Sequence, residues 1–148
     1  MHGEPIATIL SVRPALTPWS RTLLEAVFLA HGPVGSMAVL AGRIGLRNRF
    51  ELDRILRRDG MPPLHRLAGW VTVLSWVEQS EREGTSLCQL AYRSHRHPSA
   101  CYRLVRVVTG LRWQEVRARG CSWVQQQLLH EFLGRSPKSF RYMAKPTL

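Results

Sequence analysis

Arginine dominates the polar chemistry of this 148-residue chain: of its 21 Lys and Arg residues, only Lys138 and Lys145 are lysine. A guanidinium is a flat, permanently charged fork of donors, matched to phosphate and to the O6/N7 edge of guanine. Two clusters set such forks beside other side chains able to read an edge. One is Arg47, Asn48, Arg49, Arg54 and Arg57; the other is Arg96, His97, Ser99, Tyr102 and Arg103. Asn pairs with the N6/N7 edge of adenine, and Ser donates to either purine edge or to phosphate. This is recognition chemistry, not bond-making. The acids, among them Glu25, Glu51, Asp53, Asp59, Glu78, Glu115 and Glu131, are scattered and do not form pairs. There is no Gly-rich phosphate loop, no His-Glu-x-x-His and no nucleophile elbow, so neither an enzyme nor a cofactor is expected.

Cys88, His95, His97 and Cys101 fall within fourteen residues, and zinc accepts two Cys with two His. The spacing Cys-x6-His-x-His-x3-Cys matches no common structural zinc site, and Cys101 falls on the inward face of its helix. A buried free thiol is the expected fate, and no metal is expected. Three cysteines at irregular spacing, counting Cys121, fit a reduced cytosolic protein.

The elements that position the two clusters repeat. Ser36, Leu40-Ala41, Arg43, Ile55, Gly60 and Met61 recur fifty residues later as Ser86, Leu90-Ala91, Arg93, Val105, Gly110 and Leu111. A repeated two-helix unit with a basic face is what a tandem helix-turn-helix protein sets against DNA. Residues 1–17 read as a loose arm, and Thr17-Pro18 as the cap and first position of a helix over 18–30, stopped at His31-Gly32-Pro33. Ser36 caps a helix over 37–44, Gly45 turns the chain, and the helix over 48–58 buries Leu52, Ile55 and Leu56. An apolar helix over 63–80 carries Leu64, Leu67, Trp70, Val71, Leu74 and Val77 at 3.6-residue spacing, and 81–84 form a polar break. The second unit predicts helices over 87–94, 98–109 and 113–118. Ser122 caps a last helix over 123–133 with an outward Val124, Leu128 and Phe132 face, and 134–148 form a basic tail. No segment alternates like a strand, so the fold is expected to be all-α: two helix-turn-helix units joined by a long central helix. The corresponding segments are 1–35 (arm and helix), 36–62 (first unit), 63–80 (linker helix), 86–119 (second unit) and 120–148 (last helix and tail).

The arrangement resembles the DNA-binding domain of AraC-type transcription regulators. The residues that carry the resemblance are Leu40-Ala41-x3-Gly45-Leu46 and Ile55-x4-Gly60-Met61-Pro62-Pro63, then Leu87-x2-Leu90-Ala91 and Val105-x4-Gly110-x5-Val116-Arg117. His95-Arg96 stand where that family has Gly-Phe, and the second unit is one residue short of the usual length. The resemblance implies a monomer that reads two sub-sites a helical turn apart and, where it activates, contacts RNA polymerase. Too few residues precede the first unit for an effector domain, so a standalone regulator controlled by its abundance is expected.

In a helix-turn-helix the N-terminal end of the second helix meets base edges. That assigns Arg47, Asn48 and Arg49 to base readout and Arg54 and Arg57 to phosphates. In the second unit the corresponding positions are His97, Ser99, Tyr102 and Arg103, with Arg96 at the turn. The net charge of +11 favours a polyanionic partner, with duplex DNA the expected one. The N-terminus carries no signal-peptide pattern and no apolar run approaches a membrane span, so a cytoplasmic, nucleoid-associated protein is expected. Two rivals stay open: a non-specific nucleic-acid-coating protein, and a basic helical adaptor that docks another protein through its last helix.

Overall fold

The computed structural model describes residues 7, 9, 10, 16–29, 41–43 and 45–133. Most of the arm, the stop at 31–33, the Ser36 cap, most of the helix over 37–44 and the tail over 134–148 lie outside the described residues. Those described are all-α: six helices, further helical residues at 7, 9, 10 and 41–43, and no strand; the expected loose arm is thus helical at these positions, with Ile9 and Leu16 buried in the core. None of the helices is long and apolar enough to cross a membrane.

Local chemistry sets each boundary. Helix α1, Pro18–Leu29, starts where Thr17 Oγ1 accepts from the Ser20 N–H (3.4 Å), with Pro18 at the position whose missing donor costs nothing. Its Leu23, Leu24, Val27 and Phe28 are buried. Helix α2, Arg49–Arg58, is capped by Asn48 and buries Leu52 and Leu56. Asp59 just beyond it accepts from the Thr17 N–H (3.1 Å) and hydroxyl (2.8 Å), tying the end of α2 to the start of α1.

Helix α3, Leu64–Glu83, is the axis of the molecule. Twelve of its twenty residues are buried, Trp70 and Trp76 among them. It packs against α1, α4 (Leu87–Arg93), α5 (Pro98–Thr109) and α6 (Trp113–Leu133). Each large apolar side chain removed from water contributes about 1.5–3 kcal/mol, so packing rather than propensity holds this Val- and Thr-containing helix. A reciprocal capping box opens α4: Ser86 Oγ accepts from the Gln89 N–H (3.1 Å), and Gln89 Oε1 from the Ser86 N–H (3.0 Å). A polar latch joins α3, α5 and α6. Arg66 donates from Nε (3.1 Å) and Nη2 (2.9 Å) to Glu131 Oε1, and from Nη1 to the Val107 carbonyl (3.3 Å). The Trp70 indole N–H donates to the same carboxylate oxygen (3.1 Å).

Three sequence expectations are corrected. The long helix runs on through Glu81-Arg82-Glu83 and stops only at Gly84, because these residues stay at the surface, where Glu81 and Glu83 find partners in the Cys121 N–H and in Arg117 and Arg93. The break expected between the helices over 113–118 and 123–133 is present, but it falls at Gly120 (φ 87°, ψ 174°), whose backbone is not helical, and Ser122 is not the cap of the second helix. The cap comes from outside: Glu81 Oε2 of α3 accepts from the Cys121 N–H (3.0 Å), in a backbone geometry that favours glycine at 120. Finally, Val124 and Leu128 are fully buried against α3, so they offer no outward docking face; the Phe132 side chain lies outside the described residues.

Candidate nucleic-acid interface

The repeat seen in sequence is a repeat of hydrogen bonds. The Ala41 carbonyl accepts from the Leu46 N–H (2.8 Å) and the Gly42 carbonyl from the Gly45 N–H (3.2 Å). Fifty residues later the Ala91 carbonyl accepts from the Arg96 N–H (2.9 Å) and the Tyr92 carbonyl from the His95 N–H (3.2 Å). Gly45 (φ 87°) and His95 (φ 57°) both occupy the left-handed region. His95 thus makes the turn without glycine, at a conformational cost of about 1–2 kcal/mol. The next position differs in content. Leu46 is buried, whereas its counterpart Arg96 is half-buried with its guanidinium 5.7 Å from the Trp76 ring centroid. Arg96 therefore fills an apolar plug's place by stacking on α3, and does not extend toward solvent.

Beyond the turn the spacing changes by one. Three residues, Leu46-Arg47-Asn48, lead into α2, but only Arg96-His97 lead into α5. Counted from their N-caps, the two helices match at a separation of forty-nine. Leu52 and Leu56 then pair with Cys101 and Val105, all four buried. On the outer faces Arg54 pairs with Arg103 and Arg57 with Arg106, all four exposed. The sequence pairing of Ile55 with Val105 does not hold at this level: Ile55 is half-buried and Val105 fully buried. Arg106 was missed because the repeat was measured from turn to turn; counting from the helix caps would have found it.

Arg47, Asn48, Arg49, Arg54 and Arg57 are all exposed, as are His97, Ser99, Tyr102 and Arg103. Asn48 is partly committed: its Oδ1 accepts from the Phe50 (3.0 Å) and Glu51 (3.1 Å) N–H groups, leaving only the amide donors for a ligand. His97 caps α5 in the same manner, Nδ1 accepting from the Ser99 N–H (3.2 Å) with Ser99 Oγ 2.8 Å away. Accepting through Nδ1 puts the neutral ring's proton on Nε2, at the exposed edge, where it is a donor.

Ion pairing separates the arginines. Arg66, Arg93 and Arg117 lie within 4 Å of Glu131, Glu83 and Glu81, and Arg82 of Glu83. Among the described residues, Arg54, Arg57, Arg103 and Arg106 have no such carboxylate. Their charges are therefore available to an outside anion without first breaking an internal pair.

Cys101 is buried on the inward face of α5, where burial pushes its thiol pKa up against the opposing pull of Arg96. The described residues hold no group of three or more His, Cys, Asp or Glu close enough to share a metal ion. No protein-family model, curated protein or solved structure matches this chain.

Proposed function

We propose that the protein binds double-stranded DNA sequence-specifically and regulates transcription, with α2 and α5 as recognition helices in successive major grooves. The observation that carries this reading is the matched pair of unneutralised arginines, Arg54/Arg103 and Arg57/Arg106, six and nine positions into two helices that begin after the same turn. Equal charge at equal depth is what two helices gripping equivalent phosphates of one duplex need. Exposed base-reading types at the N-terminal ends, Arg47 and Arg49 in one and His97, Ser99, Tyr102 in the other, supply the sequence-dependent contacts. In this reading α3, which packs against α1 and against α4 to α6, sets the separation of the two recognition helices, and the chain binds as a monomer. Contact with RNA polymerase and a place on the nucleoid belong to the same proposal.

Selection from a random duplex library tests it. The expected result is an enriched motif of two sub-sites about ten base pairs apart, bound about a thousandfold tighter than scrambled duplex. Equal binding to scrambled duplex, single strands and RNA would replace this reading with a non-specific coating protein. The adaptor alternative loses its docking face, since Val124 and Leu128 are buried.

A further inference from the structure

Phe50 is a large aromatic side chain left 63% exposed at the second position of α2, one residue beyond the base-reading Arg49. It contributes nothing to the core, which this helix enters through Leu52 and Leu56 on its other side. Leaving such a ring in water forgoes about 1.5–3 kcal/mol of burial. Its surroundings are cationic: the Arg49 guanidinium lies 5.2 Å from the ring centroid, and Arg47 and Arg54 are exposed nearby on the same segment. An apolar ring in a basic setting suits a ligand that is polyanionic overall yet carries an apolar group. In a duplex major groove the 5-methyl of thymine is that group. Asn48 does not compete for the position, because its Oδ1 is held by the Phe50 and Glu51 N–H groups.

The matching position of α5, counted from the cap, is Ser99, a small hydroxyl 2.8 Å from His97 Nδ1. The two helices therefore share their arginines but differ at the residue nearest the base edges.

Resting on the DNA-binding reading above, we infer that Phe50 is a specificity-determining residue that packs on a thymine methyl in the first sub-site. The second sub-site has no corresponding requirement for thymine. The chain thus distinguishes the two ends of its site by one apolar contact.

The test replaces each thymine of the selected duplex, one at a time, with deoxyuridine, which deletes only the methyl. Fluorescence anisotropy then compares the wild-type chain with Phe50→Ala. For the wild type, one position in the first sub-site weakens binding about fourfold, the worth of one buried methyl. For Phe50→Ala that position becomes indifferent, while its circular dichroism and thermal midpoint match the wild type because the ring is outside the core. Indifference of the wild type at every thymine, or an equal loss in both proteins, overturns the inference and leaves the DNA-binding reading standing. A library that yields no preferred duplex overturns both.

Discussion

Among single residues, a few of the described arginines are ion-paired and many, Arg47, Arg49 and Arg58 as well as Arg54 and Arg103, are not. Arg66 is locked to Glu131 by two donors, whereas Arg54 and Arg103 stand exposed with no carboxylate partner among the described residues. Cys121 shows the opposite kind of environment. Burial, and then the nearby charges of Glu78 and Glu81, push its thiol up to about 11 from 9.0. Because the folded value lies above the unfolded one, the neutral thiol's contribution to stability is complete below pH 9. It is lost as the pH rises toward 11. Only the thiolate is alkylated, so at pH 9 about 1% of Cys121 is reactive, against half of an unperturbed thiol. Iodoacetamide labelling resolved by peptide mass should therefore reach half its limiting rate near pH 11, and Glu81→Gln should lower that midpoint by removing a negative neighbour. A midpoint near 9 in both proteins would contradict the placement of Cys121. The sequence showed which residues were basic and which had base-reading chemistry. It did not show that Arg96 is drawn in over Trp76 or that Asn48 spends its oxygen on a cap, because both depend on partners fixed only by folding.

Among elements, the decisive contact is the crossing of α3 and α5. A Cβ built on Gly69 would lie 2.7 Å from Val108 Cγ2, so this crossing is as close as it is because residue 69 has no side chain. Alanine in a helix interior is favoured over glycine by about 1 kcal/mol, but overpacking a core costs about 1–3 kcal/mol, and a β-branched Val in a helix has little rotamer freedom to yield. Gly69→Ala should therefore lower the urea midpoint of unfolding, and in a Val108→Ala background the same change should be neutral or raise it. Equal losses in both backgrounds would mean that the two helices do not meet there. Helix periodicity and capping residues made most elements legible: Thr17-Pro18, Ser86, and the buried stripe from Leu64 to Val77 appear where their chemistry puts them. The break between the last two helical stretches was legible, but not its position at Gly120, since the group that caps the helix beyond it, Glu81, is forty residues away in sequence.

For the whole molecule, α5 packs directly on the buried helix α3, whereas α2 packs on α1, which in turn packs on α3. The latch of Arg66, Trp70 and Glu131 ties α3 to the end of α6, and Asp59 ties α2 back to α1. All-α architecture followed from the absence of alternating segments, and the shared turn from a fifty-residue repeat. The second unit's one-residue shortfall was legible, but that it lies just before α5 and brings Arg54/Arg103 and Arg57/Arg106 into register was visible only once the caps were located. The claim that both helices grip one duplex is tested most directly by hydroxyl-radical footprinting on the selected duplex. Wild-type protein should protect two backbone patches about ten base pairs apart. Arg54→Ala/Arg57→Ala should lose one patch and Arg103→Ala/Arg106→Ala the other. A single continuous footprint that fades evenly in both variants would contradict the account.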